Sequence, residues 1–109
     1  MKHENLTRKV INLLLNDNDI LLNQFNHSTI SEENDDVGYY ANFSVDKTQV
    51  EVFKEKLPSR DVVGKTKDGK NIVGFVLFIK DGYLDCLEGY TFGNEKWPDL
   101  DEDISLEIN

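Results

Sequence analysis

The chain has 109 residues, room for a single domain that buries about 60–70% of the surface its unfolded form exposes. Its 39% hydrophobic content is enough to build a core, which excludes wholesale disorder. Twelve basic against twenty-one acidic residues leave a formal charge of −9, which argues against duplex nucleic acid or an anionic membrane as a direct partner and suits a basic one.

Met1-Lys2-His3-Glu4-Asn5 lacks the pattern of a secretory leader, and the longest apolar run is far too short to span a bilayer. Cys86 is the only cysteine, so an internal disulfide is impossible and a reducing cytoplasm is the expectation.

Residues 1–26 read as helical, with Leu6, Val10, Leu13 and Leu14 forming one apolar stripe. Asn5 is suited to cap its start. Asn16-Asp17-Asn18-Asp19 competes for local backbone hydrogen bonds, which predicts a break followed by a short continuation capped by Asp17 or Asp19; one longer helix is the alternative. Residues 28–94 read as antiparallel sheet. Ser28–Ser31 is a weak polar strand, and Asn34-Asp35-Asp36 a turn. Val37, Tyr39, Ala41, Phe43 and Val45 then alternate with polar or small residues, as a strand buried on one face does. Gln49–Phe53 fits either strand or helix, and Leu57-Pro58 ends it.

Lys67-Asp68-Gly69-Lys70 and Lys80-Asp81-Gly82 are hairpin turns, since Asp-Gly supplies the positive φ that tight reversals require. Between them, Ile72–Ile79 is apolar at nearly every position, which predicts a mid-sheet strand covered on both faces. Its partner strand places Leu84, Cys86, Glu88, Tyr90 and Phe92 on one face, so Glu88 sits in a mostly apolar row. Residues 95–109 form an acidic tail in which Ile104, Leu106 and Ile108 alternate, as in a short edge strand or a frayed end. The expected fold is α+β, a possibly broken N-terminal helix packed on one mostly antiparallel sheet of about five strands.

Charge is segregated. Residues 16–46 carry seven acids and no Lys or Arg, and residues 95–109 have a net charge of −5. Such blocks are either solvated surface or a field that steers a basic partner. No catalytic constellation accompanies them. Cys86 reads as a small hydrophobe on the inner side of its strand, and His3 and His27 lack partners at metal-ligand spacing. Asp99-Leu100-Asp101-Glu102-Asp103 begins like a calcium loop but has Ile104 where the sharp turn needs glycine. Gly64-Lys65-Thr66 lacks the earlier glycine of a phosphate-binding loop. Neither cofactor nor metal is expected. Glu88 is either a structural carboxylate, paired with Arg60 or a lysine or capping donors near Gly89, or a group that meets a partner or substrate. Alternation assigns Tyr39 to the core, while Tyr40 and Trp97 are the more exposed aromatic candidates for a binding surface.

The run from Asp81-Gly82-Tyr83-Leu84 through Cys86-Leu87-Glu88-Gly89-Tyr90-Thr91-Phe92-Gly93 to Trp97-Pro98 resembles a hairpin of small bacterial proteins encoded in polymorphic-toxin loci. Leu21-Leu22-x-Gln24 and Val37-Gly38-Tyr39-Tyr40-x-x-Phe43 are similar to the helix and first long strand of the same group, so the likeness spans about residues 20 to 98. It implies an immunity protein of the contact-dependent growth inhibition type, which is not an enzyme. Such a protein binds the C-terminal domain of a cognate toxin, here expected to be a basic nuclease, and blocks it in the cytoplasm; free, it would be a monomer or weak dimer. The partner-contacting residues expected are Asp17, Asp19, Glu32, Glu33, Asp35, Asp36, Tyr40, Glu88, Tyr90, Glu95, Trp97, Asp99, Asp101, Glu102 and Asp103. The rivals are a small enzyme or ligand-binding domain with a pocket near Glu88, and a subunit that self-associates through a sheet edge.

Overall fold

A computed structural model describes residues 1–93 and 95–109. The helical region is in two pieces: α1 (Glu4–Leu15) and α2 (Asp19–Asn26). Leu6, Val10, Ile11, Leu14 and Leu15 of α1, with Leu21 and Phe25 of α2, are buried against the sheet. The break falls at the polar run. Its cap is Asn18 rather than Asp17 or Asp19, the Asn18 amide oxygen accepting the Leu21 N–H at 3.0 Å. Asn5 does not cap α1 either. The helix starts one residue before it, and the donors ahead of the first turn go to Glu32, whose carboxylate accepts the backbone N–H of Lys2 at 3.2 Å and of His3 at 3.0 Å.

Six strands follow: β1 (Ser28–Asp35), β2 (Gly38–Val45), β3 (Val62–Thr66), β4 (Ile72–Lys80), β5 (Tyr83–Thr91) and β6 (Ile104–Ile108). They form one antiparallel sheet in the order β1-β2-β5-β4-β3-β6. The sixth strand comes from the alternating Ile104, Leu106 and Ile108, so the acidic tail ends as part of the sheet, paired along β3. The β4–β5 reversal has φ of 53° at Asp81 and 84° at Gly82, as a tight two-residue hairpin demands.

Residues 46–61 cross beneath the end of that hairpin. Gln49–Phe53 is neither helix nor strand: Phe53 is buried, and its N–H donates to the Gly82 carbonyl at 2.9 Å, so this backbone is fixed by a turn rather than a ladder.

Both helices lie on one side of the sheet. Tyr39, Ala41 and Phe43 of β2, Leu87 of β5, Val73 and Phe75 of β4 and Val62 of β3 point toward them. β4 is mid-sheet, between β5 and β3, but it is not covered twice. Val76 and Phe78, on the side away from the helices, are 38% and 42% exposed. Two helices suffice to roof only one layer, so the second apolar side of β4 faces water.

Candidate protein-docking face

β5 explains how the outer face is assembled. Phe78 of β4 pairs with Cys86, but the next residue, Ile79, pairs with Leu84, so Asp85 is an extra residue in β5. The bulge reverses the inside–outside parity of the strand. Leu84 is buried beneath the helices, while Cys86, Glu88 and Tyr90 point to the open side. The apolar row containing Glu88 is therefore not an inner row. Cys86 likewise leaves the core for the open face, where partial burial first, and then the charges of Asp85, Glu88 and Glu33, push its thiol pKa up.

Across the open face, strand register lines up Glu33 of β1, Tyr40 of β2, Glu88 of β5 and Val76 of β4. The Tyr40 hydroxyl donates to Glu88 Oε2 at 3.0 Å, and that hydrogen bond, with the Glu88 charge, raises the Tyr40 pKa. Glu33 Oε1 accepts the Asn42 side-chain amide at 3.1 Å. Neither contact neutralises a carboxylate. Glu88 is bound to Tyr40, not to Arg60, whose guanidinium lies 3.2 Å from Asp17. The ion pairs among the described residues are His3–Asp101, Glu4–Arg8, Asp17–Arg60 and Asp103–Lys67, which leaves Glu33, Asp35 and Glu88 without a cationic partner there.

Next to this acidic row lies an apolar strip. Tyr90 and Phe92 stack in parallel, with ring centroids 5.6 Å apart and planes 6° from coincident. They lie over Gly74, where a Cβ would come within 2.5 Å of the Tyr90 ring. Phe92 is 48% exposed, and together with Val76 and Phe78 it gives the middle of the face an uncovered hydrocarbon surface.

The other expected partner residues do not gather here. Trp97 is 7% exposed and belongs to the core, packed edge-on against Tyr39, Phe75 and His3. Its indole N–H donates to Asp101, which also meets His3 Nδ1. Glu32, as above, holds the donors ahead of α1. Thus three of the expected contacts, Glu32, Trp97 and Asp101, are used inside the fold. Asp17 and Asp19 sit at the α1–α2 junction, one of them paired with Arg60. Asp36 belongs to the β1–β2 turn, where its carbonyl accepts the Trp97 N–H; Glu95, Asp99, Glu102 and Asp103 lie along the chain between β5 and β6. The two acidic blocks meet at His3, between Glu32 and Asp101, and where the Asp36 carbonyl takes the Trp97 N–H.

Sequence reasoning missed the polar residues that fasten the helices to the sheet. Gln24 is fully buried. Its amide nitrogen donates to the carbonyls of Glu51 and Gly82, and its oxygen accepts the Leu84 N–H, each at 2.9 Å. Thr7 and Tyr39 share a buried hydroxyl contact of 2.9 Å. The available signal was position: Leu21, Gln24 and Phe25 share one helix face at i, i+3 and i+4, as do Leu6 or Thr7 with Val10, Ile11 and Leu14.

A cleft of about 520 Å³ lies between residues 53–61 and the outer half of β4, walled by Leu14, Phe53, Leu57, Arg60, Leu77 and Ile79 among others; Glu88 is not part of it. Among the described residues no group of three or more His, Cys, Asp or Glu is placed to hold a metal ion, and no helix is long and apolar enough to cross a membrane. Comparison with protein-family models, with curated proteins and with solved structures found no match to this chain.

Proposed function

We propose that this chain is an immunity-type inhibitor, which binds the C-terminal domain of a cognate secreted toxin, a basic nuclease, and neutralises it stoichiometrically in the cytoplasm. The observation that carries this reading is the carboxylates left without cations on one side of the sheet, Glu33, Asp35 and Glu88 on adjoining strands with Glu107 at the far edge, in a chain of net charge −9. A nuclease binds a polyanion and lines its site with Lys and Arg. Carboxylates on a fixed scaffold compete for that charge and accelerate encounter. The hairpin likeness from Asp81 to Phe92 supports the same reading.

The test is co-expression with the toxin domain encoded beside this gene, scored by cell survival and co-purification. Loss of both overturns the proposal. Where binding is seen, raising salt from low to physiological should slow association far more than it speeds dissociation.

A further inference from the structure

Resting on that reading, we propose where the partner docks and what it presents: the uncovered face of the sheet receives a folded basic domain through an apolar patch bordered by arginine. The hydrocarbon of that patch covers Val76, Phe78, Tyr90 and Phe92, and the arginine lies between Glu88 and Glu33 beside Tyr40.

Three observations converge on this occupant. First, β4 has the composition of a doubly covered strand, yet Val76 and Phe78 are exposed in the middle of the sheet rather than at its edge. Interface centres differ from ordinary surface in this way, with aromatic and aliphatic groups at the middle and charge at the border.

Second, the net charge is one-sided. Glu33, Asp35 and Glu88 lie toward the β1–β2 side of the apolar strip, and Glu88 and Glu33 flank Tyr40 in one cross-strand row, whereas on the β3–β6 side the outward Lys65 and Glu107 offset each other. Strands about 4.8 Å apart place the two carboxylates roughly 10 Å from each other, too far for one small metal ion but within reach of a planar guanidinium and the water around it. A second copy of this chain carries the same net charge of −9, and bringing two such chains together face to face is opposed by like-charge repulsion.

Third, the size fits. Six strands span about 24 Å and nine-residue β4 is about 30 Å long, an area close to the roughly 800 Å² each partner gives to a standard interface.

The isotope-labelled chain is titrated with arginyl-phenylalanine amide while backbone amide resonances are followed, with glutamyl-phenylalanine amide as comparison. Saturable shifts confined to Tyr40, Val76, Phe78, Glu88 and their neighbours on the open face are expected, with little response to the glutamyl probe. Phe78→Lys and Glu88→Lys should each weaken the response about tenfold or more, while circular dichroism melts show both variants folded. Shifts on the helical side, equal response to the two probes, no response up to the solubility limit, or sedimentation showing this face closed by self-association would each overturn the inference. The same variants separate it from the function above. If the neighbouring toxin domain binds them as tightly as the parent chain, the docking face is wrong and neutralisation stands. If the probe maps to the face and the toxin is not bound, neutralisation falls alone.

Discussion

His3 Nδ1 lies 2.7 Å from Asp101 Oδ2, joining two residues 98 positions apart and tying the start of α1 to the segment that leads into β6. The His3 ring stacks on Tyr39 at a centroid distance of 4.3 Å, and the same carboxylate accepts the Trp97 indole N–H through its other oxygen at 3.2 Å. One side chain therefore satisfies two donors beneath the end of the core. Asp101→Ala should cost about 1–3 kcal/mol, because it strands both partners where water does not fully reach. Asp99→Ala, a neighbouring acid without these contacts, should stay within about 0.5 kcal/mol. Urea denaturation of the two variants checks the contrast, and equal midpoints would refute it.

Gln24 fills all three of its bonds with backbone groups from two different segments. Gln24→Glu keeps the shape but removes both donors and directs a charge at the carbonyls of Glu51 and Gly82. It should destabilise by about 3 kcal/mol or more, and more than Gln24→Leu, which leaves neutral groups unpaired but buries no charge. A melting series on the parent and both variants decides the order.

Glycine at position 38 is demanded by its neighbour. A Cβ there would run into the carbonyl oxygen of Gly89, a backbone atom held in the β2–β5 ladder. At Gly74 the obstacles are the ring ends of Tyr90 and Phe92, which can swing outward. Gly38→Ala should therefore cost about 2–3 kcal/mol and Gly74→Ala clearly less, since overpacking is costly where the obstructing atoms cannot yield. Chemical denaturation gives both numbers, and the reverse ranking would refute the argument.

Alkaline pH should unfold the chain through Tyr39. Burial pushes the Tyr39 phenol far above its ordinary 10.0; the Thr7 hydrogen bond offsets part of this, and the charges of Asp101 and Glu32 add to it. The folded state holds the phenol neutral while the unfolded chain ionises. The associated stability is fully present below pH 10.0 and is lost as pH rises from there toward the folded-state value. Tyr39→Phe should flatten that loss, measured as the urea midpoint across pH 8 to 11, while lowering stability at neutral pH by releasing Thr7.

Local chemistry was legible wherever it acts locally. Asp81-Gly82 announced its turn, the Asn16–Asp19 run its break, and the alternation from Val37 to Val45 its buried side, because each depends on neighbouring residues alone; the exception is Val37, which falls in the turn ahead of β2 and is exposed. Position 97 was not legible: Trp-Pro in a polar segment looks exposed, and only the return of the chain beside His3 and Tyr39 buries the indole. The outer side of β4 was misread for a related reason. An unbroken apolar run records that both sides avoid water, but not whether the second cover belongs to the same chain. For Gln24 only its place on the apolar helix face was legible; its bonds were not, because their partners lie 27 to 60 residues away and are backbone groups, which carry no side-chain signature.

The extra residue at Asp85 has a consequence for how such a chain can change over time. Substitutions at Val76, Phe78, Glu88 or Phe92 alter only what the exterior offers, so this surface can be rewritten freely. Asp85 itself has no partner, so its loss would leave Leu84 inward and Cys86 outward, whereas loss of one residue from the paired run between Cys86 and Thr91 would turn a leucine outward or a glutamate beneath the helices. Recognition can drift by exchange of side chains, and the bulge is the one place in this strand where length can change without disturbing the core below.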